Sequence, residues 1–172
     1  SQNTTALPIN FENDEVQTSV FNGAAFEVTA DPSNSGNQVG KLTNSGAEFE
    51  GMSIFLATPV DFNNGNLINM RFNTPTAGVP VLMKFENGTA DPVELTVVAE
   101  NTGWQDLSFN FDFASASYSQ ITLFVDGPGT TTGDFFIDDI AQTDESGGGD
   151  GGSAGCEGTP VAAVDFPVTF ET

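Results

Sequence analysis

The chain has no histidine, one cysteine, one tryptophan, one tyrosine and only three basic residues, Lys41, Arg71 and Lys84. Without imidazole, every mechanism that needs a histidine base, acid or metal ligand is excluded. With a single thiol, no disulfide can close within the chain. Cys156 is either an unpaired thiol or a bond to a neighbouring chain. Three bases against 24 acids leave a formal net charge of −21. Such a polyanion repels phosphate backbones and anionic lipid, so neither nucleic acid nor a membrane surface is expected as a partner. No apolar run reaches the roughly 18 residues of a spanning helix, and the chain reads as soluble. Charged residues are only 16% of the total, below the roughly 25% of an average domain. The acidity therefore reflects missing bases rather than surplus acids. A polar surface built from Asn, Thr, Ser and Gly, with few lysines, points to an extracellular or cell-surface location.

What remains is enough for one domain: 172 residues at 38% hydrophobic can bury a core and leave a tail. Residues 144–160 are mostly Gly, Ser and acids, the composition of a flexible spacer. A module is thus expected over 1–143. Beyond the spacer, Phe166-Pro-Val-Thr-Phe-Glu-Thr172 repeats the pattern of Leu7-Pro-Ile-Asn-Phe-Glu-Asn13. Residues 161–172 are read as the first strand of a following repeat, available to a neighbouring module or chain.

Within the module, apolar and polar residues alternate with period 2 at 67–73, 82–86, 93–99 and 107–113. Further strands are expected at 7–13, 25–30, 39–43, 47–58, 120–126 and 134–141, separated by Asn-Gly, Asp-Pro, Ser-Gly and Gly-Pro-Gly turns. No stretch sustains a helical period. About ten short antiparallel strands predict an all-β jelly-roll β-sandwich. Fourteen of the sixteen Phe fall within it and are expected to supply much of its core. Leu107, Phe109, Phe111 and Phe113 are expected to face inward, as are Ile68, Met70 and Phe72, then Val81, Met83 and Phe85, then Val93, Leu95 and Val97.

The outward positions share a chemistry. Asn69, Arg71, Asn73, Lys84, Glu86, Glu94, Thr96 and Asn110 are hydrogen-bonding groups on rigid strands. If strands 67–73, 82–86 and 93–99 are neighbours, these residues form one concave strip suited to sugar hydroxyls. Otherwise they form a solvated face in which the bases pair with the acids. Trp104 opens a strand and is read either as a platform for a pyranose ring or as a residue at the rim of the core. Tyr118 and Phe124 are weaker platform candidates. Glu12 and Asp138-Asp139 lie on the expected first and last strands, which commonly run side by side in a jelly roll. Two close carboxylates need a cation between them, and oxygen ligands favour Ca²⁺. The alternative, a glycosidase acid/base pair, needs a cleft that a small sandwich lacks. Nothing else in the sequence supports an enzyme.

The segments Leu-Pro-Ile-Asn-Phe-Glu (7–12), Asp-Pro-Ser-Asn-Ser-Gly-Asn-Gln-Val-Gly-Lys (31–41), Val-Leu-Met-Lys-Phe-Glu (81–86), Gly-Trp-Gln-Asp-Leu-Ser-Phe-Asn-Phe (103–111) and Gly-Asp-Phe-Phe-Ile-Asp-Asp-Ile (133–140) resemble modules repeated in secreted and surface proteins of marine Bacteroidetes. Those modules look like galactose-binding-like β-sandwiches, a group that includes family 4 and family 22 carbohydrate-binding modules. The resemblance implies a noncatalytic module that binds polysaccharide, such as laminarin-type β-glucan, and carries a structural Ca²⁺. It places the calcium acids at Glu12 and Asp139, with main-chain oxygens of Asn10, Gln38 and Lys41 as further ligands. The polar strip with Trp104 is then the glycan face. The competing expectation is a calcium-stiffened tandem repeat of an adhesin or extracellular filament.

Overall fold

The structure, a computed structural model, describes residues 2–12 and 15–144. Ten strands follow one another: β1 (Thr18–Phe21), β2 (Ala25–Asp31), β3 (Asn34–Asn44), β4 (Gly51–Asp61), β5 (Leu67–Thr74), β6 (Val79–Glu86), β7 (Val93–Ala99), β8 (Gly103–Asn110), β9 (Ser117–Val125) and β10 (Gly133–Thr143). A single 3₁₀ turn, 62–64, interrupts them. They form two antiparallel five-stranded sheets, ordered β1-β4-β9-β6-β7 and β2-β3-β10-β5-β8. This is the expected all-β sandwich. Among the described residues no helix is long and apolar enough to cross a membrane.

The period-2 stripes meet between the sheets. Strands β5 and β6 alternate buried and half-buried without a break. Phe72, Phe85, Phe109, Phe111 and Phe135 are fully enclosed. Phe85 lies edge-on to Phe62 and Phe111, with centroids 5.0 and 5.1 Å away, and Tyr118 closes the cluster. Tyr118 is therefore a core residue; its hydroxyl donates to the Asp91 carbonyl at 3.1 Å.

Two expected strands end differently. Of the strand expected over 7–13, the described residues 7–12 contribute one bridge, Ile9 to Ile140, rather than a strand. Pro8 offers no N–H to a ladder, and Phe11 takes a left-handed φ of 59° while staying buried. The strand expected over 107–113 stops at Asn110 because the Asn110 carboxamide accepts the Asp112 N–H, a local turn that competes with the ladder. Phe113 therefore points to water, 57% exposed, and not into the core. Cys156, residues 161–172 and all but the first residue of the 144–160 spacer lie outside the described residues.

Candidate functional site

The strip expected on one face is divided between two. Strand β5 belongs to one sheet, and β6 and β7 belong to the other. Asn69, Arg71 and Asn73, with Asn110 and Trp104 on β8, therefore sit on the opposite sheet from Lys84, Glu86, Glu94 and Thr96. A single strand's alternation assigns each residue to inside or outside. It does not assign a strand to a sheet.

The outer face carrying Arg71 is crossed by one of the protein's own hairpins. Strand β3 pairs with β10 only from Gly40 to Asn44. Its earlier residues leave the sheet with β2 and bend across the face, so that the hairpin tip reaches Trp104 on the far edge strand. The Trp104 indole N–H donates to Asp31 Oδ1 at 3.0 Å and Ser33 Oγ at 3.1 Å. Arg71 lies over the indole ring, 4.5 Å from its centroid, and 3.6 and 3.7 Å from the carboxylates of Asp138 and Asp139. Asn37 donates to Asp138 at 3.0 Å, and Val39 is sealed off from solvent although it lies outside the main core cluster. Burial raises the Asp31 pKa, but hydrogen bonds from Ser33, Trp104 and Asn37 outweigh it and leave it below the usual carboxylate range. For Asp138 burial prevails, and its pKa is raised despite Asn37, the Asp139 N–H and Arg71. Asn69 is held by Ser108 and Thr143. Trp104 is thus a clasp for the hairpin, with a ring face taken by Arg71, rather than an open sugar platform.

The opposite outer face carries a groove of about 470 Å³. The ladder register explains it. Thr122, Lys84 and Glu94 stand in one row across β9, β6 and β7, and Phe124, Leu82 and Thr96 stand in the next. Leu82, Phe124 and Pro80 make an apolar floor, Lys84, Glu94 and Thr96 a polar side, and Phe49, Gly127 and Pro128 a wall at the far end. Phe21 packs edge-on against Phe124, with centroids 5.4 Å apart. Beside the groove, Gln120 donates to Ser53, Thr122 and Glu86 at 3.2, 3.0 and 3.1 Å. Thr122 also donates to Glu86 at 3.0 Å, and Lys84 pairs with the other Glu86 oxygen at 3.1 Å. These side chains hold one another in place.

Sequence reasoning found Lys84, Glu94, Thr96 and Phe124 but missed Phe49. Glu48-Phe-Glu50 alternates like a strand, and 47–58 was expected to be one. The strand instead begins at Gly51. The signal was the Asn-Ser-Gly of 44–46, a turn sequence with an acid four residues further on.

The residues expected at a metal converge in part. The Ile9–Ile140 bridge lays 9–12 beside Asp139, and Glu12 Oε1 accepts the Gln38 N–H at 2.7 Å. In a strand, the N–H and C=O of one residue point the same way, so the Gln38 carbonyl faces Glu12 as well. Lys41 departs from the expectation. Three residues along the same strand, its carbonyl turns toward its β2 partner Glu27, whose carboxylate also holds the Lys41 ammonium. Among the described residues no three His, Cys, Asp or Glu side chains gather at metal-binding spacing. A metal here would have to rely on Glu12, Asp139, the Asn10 main chain and the Gln38 carbonyl, all of them hard oxygen donors of the kind Ca²⁺ takes.

No protein-family model matches the sequence, and no curated protein matches it. The fold, however, is shared with solved structures. The family 11 carbohydrate-binding module of a cellulosomal cellulase of Clostridium thermocellum is similar over 84% of this chain and 98% of its own, with a TM-score of 0.58 and 12% identity. A family 61 module in complex with β-1,4-galactotriose is similar over 84% of this chain and 100% of its own, with a TM-score of 0.50 and 17% identity. An exo-β-agarase matches 79% of this chain with a TM-score of 0.60 and 12% identity, but the match spans only 25% of the agarase.

Proposed function

We propose that this chain is a noncatalytic glycan-binding module that holds a neutral polysaccharide, a laminarin-type β-glucan, in the groove across β9, β6 and β7. The carrying observation is the groove's composition: a floor of Leu82, Phe124 and Pro80 lies beside the polar groups of Lys84, Glu94 and Thr96. A pyranose has the same two characters, a C–H face that packs on apolar and aromatic surface and a rim of hydroxyls. The likeness to carbohydrate-binding modules supports the reading.

Charge selects the class of glycan. Lys41 is paired with Glu27, Arg71 lies against Asp138 and Asp139 under the hairpin, and Lys84 is paired with Glu86. Each base already has a carboxylate partner, so Lys84 keeps N–H donors for a hydroxyl but no uncompensated charge for a uronate or sulfate, on a chain of net charge −21. Titration calorimetry of the full chain is expected to show saturable binding to laminarin and none to alginate or ulvan. Lys84→Ala should weaken laminarin binding about tenfold, the loss of one charge-assisted hydrogen bond. A folded protein that gives no heat with any glycan would sink the proposal and favour a structural repeat. An extracellular location and a repeated arrangement belong to the same proposal. The surface composition supports the first, and the echo of 7–13 in 166–172 supports the second.

Calcium is proposed as the module's structural ion. Glu12, Asp139, Asn10 and Gln38 would hold it at the end of the sandwich where the first segment meets β10. A site saturated about a hundredfold over its dissociation constant adds roughly 2.7 kcal/mol, a rise in melting temperature on the order of 8 °C for a domain of this size. Scanning calorimetry in millimolar calcium and then in excess EGTA should show that difference. Superimposable traces would remove calcium from the account.

A further inference from the structure

Phe49 is held where an isolated phenylalanine would not choose to be. It is 51% exposed, and its backbone takes a left-handed φ of 56°, a conformation that bulky residues adopt only under constraint. The constraint comes from three directions. Its N–H donates to the Gly127 carbonyl across the loop. Its carbonyl accepts the Asn22 carboxamide at 2.8 Å. The next residue, Glu50, is 1% exposed and gathers the preceding turn around its carboxylate. That carboxylate accepts the Ser45 N–H at 2.7 Å, the Ser45 hydroxyl at 2.6 Å, and the Gly46 and Ala47 N–H groups at 2.9 and 3.1 Å.

A buried carboxylate with four donors is a strong local determinant of backbone shape. Here it is used to fix a turn whose product is an aromatic ring in solvent. The ring is aimed by the same arrangement. A Cβ built on Gly127 would stand 3.8 Å from Phe49 Cδ1 and 3.4 Å from Phe124 Cβ, so only a glycine's width separates the wall from the floor. Core packing does not need this ring, since Phe49 is not part of the core cluster.

We infer that Phe49 is a ligand-contacting wall of the groove, closing on the C–H face of a sugar ring seated over Leu82 and Phe124, and that Glu50 is its positioning residue. The inference rests on the glycan-binding reading above. It assigns Glu50 no contact with the ligand.

A double-mutant cycle tests it, with laminarihexaose, xylohexaose and β-1,4-galactotriose as probes in titration calorimetry of the full chain. On whichever probe the wild type binds, Phe49→Ala is expected to lose about tenfold or more in affinity, the range of a hot-spot aromatic. Its melting temperature should stay unchanged, because the ring is not packed in the core. Phe49→Trp should retain binding. Glu50→Gln should lose roughly three- to tenfold alone and nothing further in the Phe49→Ala background, the signature of residues acting as a unit. Ser45→Ala, which removes one donor without placing a new one in the buried site, substitutes for Glu50→Gln should that variant not fold. Wild-type affinity in Phe49→Ala overturns the wall. An equal loss from Glu50→Gln in both backgrounds overturns the positioning role. A wild type that binds none of the three probes overturns the glycan reading itself, and the inference with it.

Discussion

An aspartate in place of Leu82 is expected to abolish measurable glycan binding while leaving the domain folded. Leu82 is the central residue of the groove floor, flanked in the ladder by Phe124 on β9 and Thr96 on β7. Its side chain points away from the core, since the buried positions of β6 are Val79, Val81, Met83 and Phe85. The substitution removes the apolar surface under the sugar and puts a second carboxylate into the groove with Glu94. A bound ring would have to desolvate that carboxylate without offering it a cation. The combined effect is roughly 3 kcal/mol or more, over a hundredfold in affinity. Stability should fall by about 1 kcal/mol, as for a half-buried surface substitution. Affinity electrophoresis in laminarin gels, beside a thermal melt, reads both quantities. Unchanged retardation in the gel would move the site off this face.

Phe85→Ala has the largest expected effect on the fold. Phe85 is fully enclosed and makes two edge-to-face contacts near 5 Å, with Phe62 and Phe111. These rings come from β6, the 3₁₀ turn and the segment after β8, so removing one loosens contacts between both sheets. The loss combines transfer of the ring with the cavity left behind, about 3–5 kcal/mol. Urea denaturation should show a lower midpoint at unchanged slope, and the melting temperature should drop by roughly 10–15 °C. A drop of only a degree or two would mean that the cluster collapses around the gap, so that Phe85 is not a keystone of the core.

Much of this was legible in the sequence, for an identifiable reason. Inward and outward sets on β5 and β6 follow from strict alternation, and burial of Ile68, Met70, Phe72, Val81, Met83 and Phe85 agrees residue by residue. Alternation is local, however, and what the site depends on is not. Whether Arg71 and Lys84 share a face depends on which sheet each strand joins, a long-range matter decided by strand order. The role of Trp104 depends on β3 leaving β10 beyond Gly40, and no residue in 31–41 announces that departure. Phe113 went astray because four alternating apolar residues outweighed the one Asn110 carboxamide that ends the strand. Phe49 was hidden by a pattern that suits a strand and a loop equally.

The hairpin clasped by Trp104 also sets the valence of the module. A sandwich has two broad outer faces, and one with both open could hold a polysaccharide on each side and so cross-link chains. Here residues 31–39 cross one of those faces and are held there by Trp104, while the larger groove lies on the other. On the proposed reading, such a unit holds a glycan on its groove side and presents it to one side of whatever chain carries it. In an array of copies, the rotation between neighbours would then decide whether one long polymer runs along a common edge or several are gathered around the stalk.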